Sequence, residues 1–248
     1  MTACTITATS FQLQAAEPRE SLFPKVREHM ARLGEEAEQI GAGHREGGDA
    51  LAQWLAANYQ PGKPLHVLAI CTGNSRRSMF TASMGNFAAA YHGLAEITFR
   101  SAGTAPSAIN SRTIRALNAI GVEIQPTGEE AKRGPDDAPN PKLLVRWGKA
   151  GSGLETVEFS KHYSDPSNAQ QGFAAILVCS DADKECPIVR GAAKRIPLPF
   201  NDPKAFDGQP EEEAKYAERR DDIGRLMMLV MKQVREKVDA KKTGATGR

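Results

Sequence analysis

The spacing of apolar residues changes character several times along the chain. Between Glu20 and Tyr59 they recur at helical intervals, which predicts helices over Glu20–Ile40 and Arg45–Tyr59, the second with Leu51, Trp54 and Leu55 on one face. Gly41-Ala42-Gly43 and Pro61-Gly62 punctuate them. The first ~15 residues mix Thr, Ile, Phe and Gln and fit a strand or a loose arm equally well. From Pro64 the texture is different. Leu65–Ile70 is a continuous apolar run that predicts a strand, followed by a Gly-containing turn and a Met-, Ala- and Phe-rich helix reaching His92. Glu96–Arg100, Gly172–Cys179 and Arg195–Phe200 predict three more strands, and Ser111–Ile120 a helix closed by Gly121. A last helix over Glu211–Lys237 carries Ile223, Leu226, Met227, Val230, Met231 and Val234 on one side. Strands that alternate with helices build a parallel sheet, because each return crosses over the sheet face. The predicted fold class is therefore α/β, a parallel four-stranded sheet flanked by helices.

Between Gln125 and Gln171 this rhythm breaks. A Gly-, Pro- and Asp-rich stretch precedes Leu143–Trp147 and Leu154–Phe159, two alternating runs joined by Gly148–Gly153, which reads as an inserted β-hairpin. The predicted organisation is a mostly helical N-terminal extension over 1–63, an α/β domain over 64–240 with an insertion at 126–171, and a disordered tail over 241–248 (KKTGATGR).

Composition narrows the function without naming it. With 40% hydrophobic and 25% charged residues the chain is a folded protein. Lys plus Arg number 32 against 30 Asp plus Glu, and a balance of +2 predicts neither nucleic acid nor another polyanion as partner. No run of 18 apolar residues is present, and the N-terminus lacks a basic start and an apolar signal core, so the expectation is a cytoplasmic protein with no membrane partner. Four cysteines are too few for a disulfide scaffold, so their placement points to chemistry.

The sharpest motif is Cys71-Thr72-Gly73-Asn74-Ser75-Arg76-Arg77-Ser78, set between a predicted strand and a predicted helix. A loop of this length can curl its backbone N–H groups around one tetrahedral anion, with the positive end of the helix dipole behind it. Cys71 would lie beneath that anion, where the same field favours the attacking thiolate. Arg77 has the planar fork to clamp two oxygens, Ser78 can donate to the sulfur, and Asn74 can hold the turn. A small buried cysteine beside ordinary turn residues leaves the order of these residues unexplained. No Gly-Lys-Ser/Thr follows, so this is not a Walker loop.

Together with Phe99–Thr104 (FRSAGT) and Ser111–Ile124 (SRTIRALNAIGVEI), the motif resembles the low-molecular-weight protein tyrosine phosphatases and the thioredoxin-coupled arsenate reductases built on the same fold. Two departures stand out. Arg76 occupies a position where many relatives have Cys, and Met79-Phe80-Thr81-Ala82 lacks the acidic residue with which that helix often starts, which removes support for a cation site there. The resemblance implies an oxyanion-binding loop at Thr72, Gly73, Asn74, Ser75, Arg76, Arg77 and Ser78, with Cys71 as nucleophile, no cofactor, no metal, and arsenate or a phosphate ester as substrate.

Cys179 and Cys186, seven residues apart after an apolar strand, look like the redox segment of the reductases. On a rigid helix their Cα atoms would be about 10 Å apart, too far for a disulfide, so the segment would have to bend or loop out. The bland alternative is a buried strand-end residue and an idle turn thiol. In Phe200-Asn201-Asp202-Pro203, Asp202 matches the family's general acid, since a carboxyl facing a thiolate and an oxyanion keeps its proton for the leaving oxygen. Helix capping is the alternative role for that residue. The resemblance thus implies arsenate reduction through Cys71, Cys179 and Cys186 with thioredoxin as reductant, or hydrolysis of phosphotyrosine through a phosphocysteine. The five histidines, Cys4 and the Lys132-Arg133 pair show no ligand spacing and read as surface or packing residues.

Overall fold

The computed structural model describes residues 18–180 and 188–245. Four parallel strands form the central sheet: β1 Leu65–Cys71, β2 Ile97–Gly103, β6 Phe173–Leu177 and β7 Ala192–Pro197, in the order β2-β1-β6-β7. This is the sheet the alternating pattern predicts. Leu65 pairs with Ile97 and Cys71 with Gly103 across one edge of β1, and Ile70 with Leu177 across the other. β1 is central, which is why nearly every position of it is apolar and buried. The crossovers α4 Arg77–Tyr91 and α5 Ser111–Asn118, together with the final helix α6 Glu212–Ala245, flank the sheet, and α6 packs against α4 and α5.

The N-terminal segment joins this core. The predicted helix over Glu20–Ile40 is broken into α1 Pro18–Ser21, α2 Pro24–Glu35 and a short 3-10 turn Ala37–Gln39. Pro24 is the reason. A residue before proline is pushed out of helical geometry, and Phe23 is extended at φ −59°, ψ 141°. The released Phe23 N–H donates to Trp147 O at 3.0 Å, and Leu22 bridges to Gly148. α2 and α3 Ala42–Asn58 then lie on α6, with Val26, Met30, Leu33, Leu51 and Leu55 fully buried. Gly47 permits the approach of α3 to the end of β7, since a Cβ there would sit 2.6 Å from Leu198 Cδ1.

Three differences from the sequence pattern stand out. The insertion is a three-stranded antiparallel sheet, β3 Glu123–Glu130, β4 Pro141–Arg146 and β5 Glu155–Glu158, rather than a two-stranded hairpin. β3 escapes a pattern search because it is largely exposed, contains Pro126 and breaks register between Pro126 and Glu130; a proline is tolerated there because the strand is an edge. β7 begins at Ala192 rather than Arg195. α6 continues past Lys237 to Ala245, into the segment expected to be a disordered tail.

Candidate active site

The loop after β1 is pinned from outside by its carbonyl oxygens. Thr104 N donates to Cys71 O at 3.1 Å, Ala105 N to Thr72 O at 2.9 Å, Ser107 N to Gly73 O at 3.0 Å and Asn110 N to Ser75 O at 3.1 Å. Side chains reinforce them: Ser107 Oγ and Ser160 Oγ also donate to Gly73 O, and Thr113 Oγ1 to Ser75 O. Carbonyls drawn outward leave the amides to face inward, the arrangement an anion needs. Gly103 makes the fit possible, because a Cβ there would lie 2.4 Å from Thr72 O.

Asn74 closes the turn at φ 44°, a left-handed conformation that asparagine tolerates better than most residues. Its Oδ1 accepts from Lys161 N at 2.8 Å and its Nδ2 donates to Ser78 Oγ at 3.0 Å. With that lone pair engaged, Ser78 can aim its proton at Cys71 Sγ, 3.1 Å away. Cys71 ends β1 and is 3% exposed. The sulfur thus sits at the floor of the loop with one hydroxyl donor beside it.

Arg77 opens α4 and points to the segment that follows β7. Its Nη1 donates to Phe200 O at 3.1 Å and its Nη2 pairs with Asp202 Oδ2 at 2.8 Å, while its buried Nε has no partner among the described residues. Asp202 also caps the 3-10 turn Pro203–Phe206, accepting from Lys204 N at 3.0 Å. The capping role and the position beside the loop arginine therefore coexist in one residue. Strand alignment brings this segment here: Leu198 N donates to Leu177 O and Phe200 N to Val178 O.

The side chain of Arg76 leaves the loop, so only its backbone can contribute to the cradle in which the sequence placed it. Its Nε donates to Tyr216 Oη at 2.6 Å and its Nη2 to Asp207 Oδ2 at 2.8 Å. Tyr216 in turn donates to Asp207 Oδ1 at 2.7 Å. Burial, then the bond to Asp207, pushes the Tyr216 hydroxyl up to about 12. For Asp207 burial likewise acts upward, but the Tyr216 hydrogen bond and the charges of Arg76 and Arg112 outweigh it and hold the carboxyl below its ordinary range.

Cys179 lies just past β6 and is fully buried, with Sγ 3.6 Å from Thr72 Oγ1, the residue after the nucleophile. Cys71 and Cys179 are not bonded to one another. Cys186 lies outside the described residues. The structure therefore brings Cys71, Ser78, Arg77, Asp202 and Cys179 to one end of the sheet, the carboxyl end of β1, where open α/β sheets bind ligands.

No protein-family model and no curated protein matches this chain. Solved structures do. An arsenate reductase in a phosphate-binding state is similar at 16% identity and a TM-score of 0.34, covering 73% of this chain and 98% of its own. A low-molecular-weight protein tyrosine phosphatase from Bacillus subtilis is similar at 15% and 0.41, covering 69% and 98%. An arginine phosphatase from Geobacillus stearothermophilus is similar at 16% and 0.41, covering 73% and 97%. At these values the functional reading rests on the geometry of the site itself.

Several residues of the site are invisible to motif reading. Ser107 and Thr113 lie in or beside quoted motifs, yet nothing in their spacing shows that they hold the loop. Ser160 and Lys161 reach it from within the insertion, just past β5, and Asp207 and Tyr216 from the far end of the chain. His44, read as surface or packing, stacks on Phe200 at 4.3 Å and bonds Pro199 O at 2.9 Å, so α3 backs the Asp202 segment.

Proposed function

We propose that this chain is a cysteine-dependent enzyme acting on a tetrahedral oxyanion, and that it reduces arsenate through a thiol relay. The carrying observation is Cys179, a second buried thiol 3.6 Å from the hydroxyl next to the nucleophile, where hydrolysis needs none. In this reading Cys71 attacks arsenic(V) and a hydroxyl leaves as water with the proton of Asp202. Arg77 and the loop amides hold the oxygens. The Cys179 thiolate then attacks Cys71 Sγ: an S–S bond forms, the S–As electron pair passes to arsenic, and arsenite departs as As(III). Cys186 attacks Cys179, frees Cys71 and leaves a Cys179–Cys186 disulfide, which the dithiol of thioredoxin reduces. No cofactor enters any step.

Hydrolysis of a phosphate ester such as phosphotyrosine is the second reading, favoured by the position of Asp202 against Arg77. There the carboxyl protonates the leaving oxygen and then activates water against a phosphocysteine. Among the described residues no helix is long and apolar enough to cross a membrane.

The test is a comparison of kcat/KM for arsenate, with thioredoxin and its reductase, against an aryl phosphate. Arsenate turnover is expected in the wild type, and Cys186→Ser should complete one turnover and stall as a Cys71–Cys179 disulfide visible by peptide mapping. Cys179→Ser should stall without that bond. Repeated arsenate turnover by both variants would make the pair idle and overturn the relay, and a wild type that turns over the aryl phosphate but not arsenate would leave hydrolysis as the function.

A further inference from the structure

Two adjacent arginines of the loop grip the two ends of the Asp202 segment. Arg77 Nη2 holds Asp202 at 2.8 Å, Arg76 Nη2 holds Asp207 at 2.8 Å, and the 3-10 turn Pro203–Phe206 lies between them. The two grips differ in kind. Arg77 belongs to the cradle, and an oxyanion bound there competes with Asp202 for the same guanidinium. Arg76 faces away from the cradle into a closed ring of three side chains, with Tyr216 accepting from Arg76 and donating to Asp207. Tyr216 is 1% exposed, so water has little access to compete. The ring is tied further: Arg112 Nε lies 2.6 Å from Glu212 Oε2 and 3.6 Å from Asp207 Oδ1, and Gly208 N donates to the same Glu212 oxygen at 2.6 Å.

We propose that Arg76 is a positioning residue that keeps the acid segment on the loop while Arg77 is given up to the substrate oxyanion. The inference rests on the reading of 71–78 as an oxyanion cradle with Asp202 as its acid. Arg77 is then the exchangeable grip and Arg76 the permanent one. Loss of Arg76 has little consequence while Arg77 still holds Asp202. Its consequence emerges when an anion draws Arg77 away.

Backbone hydrogen exchange followed by mass spectrometry tests this in the full chain, with and without saturating inorganic phosphate. In the wild type, phosphate should protect amides of 72–78 and leave the protection of 200–208 unchanged. In Arg76→Met, phosphate should still protect 72–78 but make 200–208 exchange roughly tenfold faster than in the phosphate-free variant, through local opening. Arg76→Lys should restore part of that protection. Should Arg76→Met not fold, Asp207→Asn, which removes the ion pair and retains an acceptor for Tyr216, carries the same comparison. Exchange over 200–208 that is equal with and without phosphate in the variant overturns the proposal, since a purely structural role is indifferent to the anion. Failure of phosphate to protect 72–78 in the wild type instead overturns the cradle reading on which it stands.

Discussion

Asp202 is bound in two directions at once, to the Lys204 amide through one oxygen and to Arg77 through the other. The cap fixes where the carboxyl stands and the arginine fixes what it faces. As a general acid, a group placed in this way matters to the attack of Cys71 only when the departing oxygen needs a proton. Asp202→Asn should therefore lower kcat/KM roughly 10²-fold for a poor leaving group such as phenol while sparing 4-nitrophenol, measured on the two aryl phosphates. Equal losses on both would make Asp202 a turn residue. The same contrast separates it from Ser78, whose hydroxyl contacts Cys71 Sγ and serves the attack whatever the leaving group.

At the scale of elements, α4 joins the chemical end of the sheet to a half-buried histidine at its other end. Arg77 stands in its first turn and His92 caps its last, with His92 N donating to Ala88 O at 3.0 Å. The ring Nε2 of His92 is buried without a partner among the described residues. Burial first, and then the nearby cations Arg19, Arg235 and Lys232, push its pKa down to about 4. Above an unfolded value near 6.5 the ring is neutral in both states, so it has no effect on the pH dependence of folding there. As pH falls from about 6.5 towards 4 only the unfolded chain takes up the proton, and stability is lost. Between pH 7 and pH 5 the loss should reach up to about 2 kcal/mol more in the wild type than in His92→Gln. Urea unfolding at the two pH values measures it; parallel losses in both proteins would exclude His92 as the source.

On the scale of the whole molecule, residues 18–58 lie on the same hydrophobic core as the sheet. Polar contacts add to that packing, since Arg225 bonds Glu36 at 2.7 Å and Asp221 takes His29 and Arg32, each at 2.9 Å. Burial disfavours the Asp221 carboxylate, yet its hydrogen bonds to His29 and Arg220 and their charges hold its pKa well below the ordinary range. Leu33, fully buried where α2 meets α6, is a direct probe of that seam. Leu33→Ala should cost roughly 2–5 kcal/mol in denaturant unfolding while leaving the kcat/KM of the folded fraction close to wild type. A loss below about 1 kcal/mol would mean that α2 is peripheral to the folding unit.

Local pattern alone was sufficient for the parallel sheet, its crossover helices and the Cys71–Ser78 loop, because each is written in neighbouring residues. Apolar runs such as Leu65–Ile70 follow from burial on both faces of a central strand, and the loop's residue types follow from the anion they would surround. Pro24 was equally present in the sequence, yet the helical spacing of apolar residues around it outweighed the break it dictates. Contacts between distant segments have no such signature. The grip of Ser160 and Lys161 on the loop, the β3 edge strand, the stack of His44 on Phe200 and the departure of Arg76 toward Asp207 and Tyr216 depend on which surfaces the fold brings together. Arg76 shows the physical reason plainly. Its place in the sequence assigned it to the anion, but a half-buried carboxylate and a buried phenol 131 and 140 residues away offered its guanidinium three-dimensional partners that no local spacing encodes.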